Sequence, residues 1–403
     1  MNKIKIDDVD YLLSAQAVRQ STSKIYELAK NGKTHFSLNE EKVADCADYV
    51  LEVIKENYPT LEIPFHSRWN HFQVGGIDRL GELNHLLQDF DKKEQARIKL
   101  DLVVVSVLLD AGAGGKWSYE EENKRFNRSE GLAVASYHMF LEKKFSSQDK
   151  WEVDAVGLLN FTTDNLRQGF QVSEKNPLVG IEGRVKLLNK LGEVIQKNTE
   201  IFPGGRPSGI LDYLMGKQGH SFEVEDILKA VLAGLGPIWP GRIFVEDINL
   251  GDVWHYPPLD KDIQKDSVIC FHKLSQWLTY SLVGPMESAG LSITGAEKLT
   301  GLAEYRNGGL FLDFKVIDLK DKNLLEQEHL PSSELVIEWR ALTIQLLDRL
   351  GTIIQAKLDK KAAEFPMVKV LEGGTWWAGR KIAKEKRADG SSPLKLKSDG
   401  TVF

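Results

Sequence analysis

The sequence predicts a mainly α fold with a small β component. Three observations lead there: apolar residues recur at spacings of three and four over long segments, helix-start signals precede several of them, and strict alternation is rare. Taken in chain order, Ser37-Leu38-Asn39-Glu40 has capping-box spacing, and Val43, Ala47, Val50, Leu51 and Ile54 follow at helical intervals. A helix is therefore expected over 39–56. DKKEQARIKLDLVVVSVLLD (91–110) opens with helix formers and turns apolar on every side from Leu102 to Leu109 except at Ser106, as a helix driven into a core would.

Further helices are expected near 129–142, 180–197, 208–217, 224–235 and 332–359. In the last, Leu335, Trp339, Leu342, Leu346 and Leu350 form one stripe behind Pro331-Ser332. The clearest strand signal is 309–317, where Leu310, Leu312, Phe314 and Val316 alternate with Phe311, Asp313, Lys315 and Ile317. LKLKSDGTVF (394–403) reads as a turn or hairpin. No fixed-period repeat occurs, which excludes a solenoid.

No Pro/Ser-rich linker or charge block divides the 403 residues, so 1–403 is read as one large catalytic-type domain. An N-terminal helical subdomain, 1–150, packed on 151–403 is the alternative. With 42% hydrophobic and 27% charged residues the chain has ample material for a core. A net charge of -6 opposes a broad phosphate-backbone footprint, so nucleic acid is not an expected partner. Cys46 and Cys270 are too few and too far apart for a disulfide framework, which suggests a reducing, cytoplasmic setting. The start, MNKIKIDDVDYLLSA, lacks an apolar signal core, and no stretch approaches the roughly 20 apolar residues of a membrane span.

Nucleotide and zinc-protease chemistries lack their usual motifs: no G-x-G-x-x-G after a strand, no P-loop lysine, no H-E-x-x-H and no G-x-S-x-G. LLDAGAGGKW (108–117) is glycine-rich without phosphate-loop spacing, and reads equally as a turn or a ligand-contacting loop. Other stretches are richer in chemistry. GLAEYRNGG (301–309) brackets Glu304, Tyr305 and Arg306 with glycines, which suits either a turn or a shaped site. In CFHKLSQWLTYSL (270–282), Leu274, Leu278 and Leu282 make a core stripe on a helix. Lys273, Gln276 and Tyr280 fall on another face whose donors suit a pocket, against the plainer reading of a lysine snorkelling to water.

GLGPIWPGR (234–242) and NLGDVWHYPP (249–258) supply Trp239, Trp254 and His255 as pocket walls or as packed loops. HSRWNHFQVGG (66–76) joins His66, Arg68 and His71 to Trp69, which suits an anionic ligand with a ring or sugar to stack on. His66 and His71, five apart, are poorly placed to share a metal on one helix face, so no metal site is expected. LEGGTWWAGRKIA (371–383) offers a backbone turn at Gly373-Gly374 and an anion contact at Arg380, against the plainer role of a C-terminal plug.

These motifs, with VVVSVLLDAGAG, RSEGLAVASYHMF and the ending FPMVKVLEGGTWWAGRKIA…SDGTVF, resemble the uracil catabolism protein 4 family over nearly the entire chain. That resemblance implies a role in a pyrimidine-degrading route in which a ribosylurea-type compound is broken down, beside the other enzymes of the route. A shorter resemblance is to the queuosine salvage N-glycosidases, which implies a helical DNA-glycosylase-like scaffold. That family's Tyr-Lys-x-Ala-Gln helix is similar to His272-Lys273-Leu274-Ser275-Gln276, and its Thr-x-Phe-Ala-Asp-Tyr-Arg loop to Thr300-Gly301-Leu302-Ala303-Glu304-Tyr305-Arg306. Here Glu replaces Asp, Ser replaces Ala, and Asn-Gly-Gly follows Arg306 in place of Val-Pro-Gln.

The resemblance implies hydrolysis of an N-glycosidic bond, splitting a ribosylurea-like nucleotide fragment into urea and ribose phosphate without a cofactor. Such a reaction needs a carboxylate beneath the developing oxocarbenium ion, and Glu304 is the candidate, with Lys273 as its paired cation. Lys273, Arg306 and Arg68 suit a phosphate, Tyr280 and Trp254 a stacked ribose or leaving group, and Tyr305, Gln276, Asp252 and Asp110 complete the expected binding set. Two rivals stand beside this. One is an amidohydrolase-type step with a histidine-held metal and Asp110 or Asp252; the other is a non-catalytic nucleotide-binding partner of the ring-opening enzyme. Asp313 is open between a cap and a catalytic role.

Overall fold

The computed structural model describes residues 3–110 and 112–397. The chain divides into two compact units. One combines the chain up to His66, Gly241–Gln276 and the chain from Gly295 onward; the other combines Ser67–Pro240 with Trp277–Thr294. Strands among the described residues occur only as short two-stranded pairs, so the fold is mainly α. No helix among them is long and apolar enough to cross a membrane.

The first unit is organised by the Glu334–Lys357 helix. Its expected stripe, Leu335, Trp339, Leu342, Leu346 and Leu350, is buried throughout, at about 1.5–3 kcal/mol per large apolar side chain. Against it pack the helices Ala15–Lys30, Lys42–Asn57 and Tyr305–Asp313. Ala15–Lys30 is not among the helices expected from the sequence; its buried face mixes Val18, Ile25 and Tyr26 with the small or polar Ala15, Ala17, Ser21, Thr22 and Ala29.

Two expectations need correction here. The box at Ser37–Glu40 does not cap the next helix, because Phe36–Leu38 is a strand paired antiparallel with Ile317–Leu319 and the Ser37 hydroxyl donates to Asp318 O; the helix starts at Lys42. The strand expected over 309–317 is the helix Tyr305–Asp313, followed by a strand only at Ile317–Leu319. Its alternation misled because Leu310, Phe311 and Leu312 are all buried, and a helix enclosed on every side has no polar period to show. Of LKLKSDGTVF, expected as a turn or hairpin, Lys395–Leu396 pairs in parallel with the distant Glu328–His329, and 398–403 lie outside the described residues.

In the second unit, 91–110 is the expected helix, Lys92–Leu108, buried from Leu100 to its end. Arg128–Leu141, Ile181–Lys197, Gly209–Gln218 and Val224–Leu235 also stand where periodicity placed them. The Lys273–Ser288 helix confirms the helical reading of CFHKLSQWLTYSL, and the division between units falls inside it, after Gln276.

Candidate active site

Two strands, Val253–His255 and Val268–Cys270, pair antiparallel with Val253 opposite Cys270. After the second strand the chain turns through His272, whose φ of 49° is left-handed, and enters the helix at Lys273. Strained backbone of this kind persists only where neighbours over-determine it, and Leu12 and Asp252 both tie this corner down. His272 Nε2 lies 2.7 Å from Leu12 O, burial holds its imidazole below the usual histidine range, and the Phe271 amide donates to Asp252 O at 3.0 Å.

Asp252 is the hub of this corner. It accepts both terminal nitrogens of Arg340 at 2.9 and 2.7 Å, the Trp254 indole N–H at 2.6 Å and the Lys273 backbone N–H at 3.2 Å. Burial alone would raise its carboxyl, but the Arg340 guanidinium outweighs that and holds it well below the usual carboxylate range. Asp252 thus fixes where the Lys273 helix begins and how Trp254 is turned; Arg242 stacks on the far side of that indole, 4.3 Å from the ring centre.

Gln276, one turn into the helix, is fully buried. Its Nε2 donates to Phe271 O at 3.1 Å and to the Thr300 hydroxyl at 2.8 Å, and its Oε1 accepts the Thr300 amide at 2.9 Å. The amide therefore clamps the loop that leads into GLAEYRNGG onto the helix that starts with Lys273. Behind the loop, Arg19 donates to the carbonyls of Lys298 and, at 2.7 Å, Leu299, with Asp348 as its counter-ion at 3.0 Å.

The loop ends at Glu304, the N-cap of the Tyr305–Asp313 helix. One carboxylate oxygen accepts the Arg306 amide at 2.9 Å and the other the Asn307 amide at 2.7 Å. A half-buried carboxylate is thereby locked in one orientation at a helix N-terminus. Capping alone is a sufficient structural reason for an acidic residue at this position. The Asn307 side chain tightens the same turn by donating to Leu302 O at 3.0 Å. Tyr305 is half-buried with the Arg306 guanidinium 4.9 Å from its ring centre, and Arg306 Nη1 donates to Gly390 O at 2.8 Å.

The remaining expected residues lie in the second unit. Arg68 is completely buried: Nε donates to the Ser106 hydroxyl at 2.6 Å, Nη2 to Ser106 O at 3.0 Å and Nη1 to Ser129 O at 3.1 Å, with Asp110 at 3.4 Å. Asp110 also accepts the Ser129 hydroxyl at 2.6 Å. Arg184 holds the backbone on both sides of Asp110 through Leu109 O at 3.1 Å and Gly112 O at 3.2 Å; burial pulls its guanidinium down to about 10. In the glycine-rich stretch 108–117, only Ala111 lies outside the described residues. Tyr280 is buried on the same helix as Lys273, seven residues further on.

His255 Nε2 lies 2.9 Å from Asp260 O, tying down its own turn. Asp313 is paired with Arg387 at 2.7 Å, and His66 with Glu372 at 2.8 Å. Gly373 and Gly374 do not form the expected reverse turn. They lie in a π-helical turn, Leu371–Thr375, where a Cβ on Gly373 would stand 2.6 Å from Ile63 Cδ1 and one on Gly374 2.6 Å from Val50 Cγ1. Sequence reasoning passed over Arg19 and Arg340, and named Thr300 only as the first residue of the loop motif. Of the two passed over, Arg340 left a signal, a cation near Glu338 within a largely apolar stretch of a long helix.

Comparison with known proteins bears on the whole chain. "Uracil catabolism protein 4" of Lachancea kluyveri is 39% identical over an alignment of 436 positions, covering 98% of this chain and 99% of the relative. "Protein urg3" of Schizosaccharomyces pombe (strain 972) is 39% identical over 411 positions, with the same coverage of 98% and 99%. Residues 11–403 match the family described as "Protein of unknown function (DUF1688)", and the chain belongs to that family.

Proposed function

We propose that this protein acts in uracil catabolism, as the name of its Lachancea kluyveri relative indicates for that protein, and that its step is hydrolysis of an N-glycosidic bond. The substrate on this reading is a ribosylurea-like fragment carrying a 5′-phosphate, and the products are urea and ribose phosphate. One observation carries the reading: the Gln276–Thr300 clamp, which ties the helix bearing Lys273 to the loop ending in Glu304. Two motifs that only sequence spacing related are thereby one mechanical object.

The chemistry follows from charge. As the C1′–N bond breaks, positive charge gathers on the sugar ring, and an anion held beneath it stabilises the transition state. Glu304 suits that task because two backbone amides fix its orientation before substrate arrives, so none of that ordering remains for the reaction step. Water adds its oxygen to C1′ and gives a proton to the carboxylate. Lys273 supplies a cation at the other clamped end, suited to the phosphate or to the departing urea. Arg306 and Arg68, the other cations suited to a phosphate, have their guanidinium groups engaged by protein carbonyls.

The test must separate catalysis from capping. Serine caps helices about as well as any residue, so Glu304→Ser keeps the helix start and removes the carboxylate. Purified full-length protein is incubated with ribosylurea and with its 5′-phosphate, and urea release is followed. Wild type is expected to release urea, and Glu304→Ser to lose on the order of 10²–10³ in rate while its melting temperature stays close to wild type. Lys273→Ala should raise KM most for the phosphorylated substrate. Activity retained in Glu304→Ser would reduce Glu304 to a cap, and no urea from either substrate would end the hydrolase reading.

A further inference from the structure

A second acid–base group stands in the same unit as Lys273 and Glu304. His66 and Glu372 form a buried pair, Nδ1 to Oε2 at 2.8 Å, with side chains only 8% and 9% accessible. The Tyr58 hydroxyl donates to the other Glu372 oxygen at 3.4 Å, and the Trp376 ring lies 6.3 Å from the imidazole. A carboxylate on Nδ1 fixes the tautomer and directs proton exchange to Nε2. Buried pairs of this kind add little net stability, so the cost of enclosing one asks for a reason.

The seat of the pair is rigid. Glu372 lies in the π-helical turn Leu371–Thr375, a rare local geometry that occurs frequently at functional sites. Gly373 and Gly374 let that turn lie flush against Ile63, Val50 and Ile54, while the His66 amide donates to Val368 O at 3.3 Å. Thr375 Oγ1, in the same turn, is buried without a protein partner. The turn runs on into the Trp376–Lys386 helix, and both pack against the helix that Glu304 caps. At Gly379 the approach is so close that a Cβ would stand 2.5 Å from Arg306 O. From Glu372 to Gly379 the helical rise is about 10 Å, within the span of one nucleotide-sized substrate.

We propose that His66 is the proton donor to the leaving nitrogen and that Glu372 is its positioning residue. The assignment rests on the N-glycosidase reading. The C1′–N bond breaks with its electron pair going to nitrogen, which takes the proton from His66 Nε2 and departs as neutral urea. The water that adds to C1′ leaves its proton on Glu304, and return of that proton to His66 through solvent resets both groups. Two carboxyl groups divide these tasks in many glycosidases; here one imidazole and one carboxylate do.

A leaving group that needs no proton isolates the donor. Full-length wild type, His66→Gln and Glu372→Gln are compared on ribosylurea 5′-phosphate and on p-nitrophenyl ribofuranoside 5-phosphate, whose phenolate departs unprotonated. His66→Gln is expected to lose about 10²–10⁴ in kcat for urea release and to cleave the nitrophenyl substrate within a few-fold of wild type. Glu372→Gln, which preserves size and a hydrogen bond to His66, should show the same selectivity more weakly and cover the case in which His66→Gln fails to fold. Equal loss on both substrates, or on neither, with wild type releasing urea, would overturn the donor role and leave the hydrolase reading standing. If wild type releases no urea, the reaction itself fails and this assignment falls with it.

Discussion

His272 shows how much one residue beside a site can carry. Its left-handed backbone turns the strand into the Lys273 helix, and its ring is enclosed near Leu12, Asp252 and Arg340. Burial lowers its pKa on folding, so below the unfolded value of about 6.5 the unfolded chain takes up a proton that the folded chain refuses. Stability is therefore fully present above about pH 6.5 and declines as pH falls below it, by at most about 1.4 kcal/mol per pH unit for this one group. His272→Asn, which tolerates positive φ better than other non-glycine residues, should be less stable at pH 8 but flatter between pH 6.5 and 5. Denaturant unfolding of both proteins across that range checks it; parallel curves would show that His272 is not the group responsible.

At the scale of elements, helices such as Lys42–Asn57 and Ile181–Lys197 were legible because half-burial writes a 3.6-residue period into the sequence. The Tyr305–Asp313 helix was illegible for the opposite reason. Gly308 presses against Trp339, where a Cβ would stand 2.7 Å from the ring, and enclosure erased the period at the very element Glu304 caps. The two motifs at Lys273 and Glu304 were visible as patterns, but the clamp between them was not, since a glutamine and a threonine 24 residues apart advertise no pairing. Gln276→Leu tests that clamp. It keeps the buried volume and strands the Thr300 amide and Phe271 O, at about 1–3 kcal/mol for each buried group left unpaired. A lower unfolding midpoint together with a fall in kcat larger than the change in KM is expected. A destabilised variant with unaltered kcat would show that the loop holds Glu304 without Gln276.

At the scale of the molecule, one feature could not be read from any local pattern: the unit that holds Lys273 and Glu304 is assembled from three separated stretches of chain. Its Glu304 helix is closed from behind by residues far along the sequence. Arg306 donates to Gly390 O at 2.8 Å, Arg387 Nε donates to Ser391 O at 2.8 Å, Leu394 is completely buried, and a Cβ on Gly309 would touch the Pro393 ring at 3.2 Å. A chain ending at Asp389 should therefore lose a hydrogen bond to a buried guanidinium, about 1.5–3 kcal/mol, together with an apolar anchor, about 1.5–3 kcal/mol. Against a total stability of roughly 5–15 kcal/mol, that loss is a large fraction. Leu394→Ala separates the two contributions, since it removes apolar contact and leaves the Gly390 carbonyl in place. The truncated chain is expected to be clearly less stable than Leu394→Ala in urea unfolding and to lose urea-releasing activity. Equal stability of the two would mean that the Arg306–Gly390 bond contributes nothing and that Arg306 is available for a substrate anion after all.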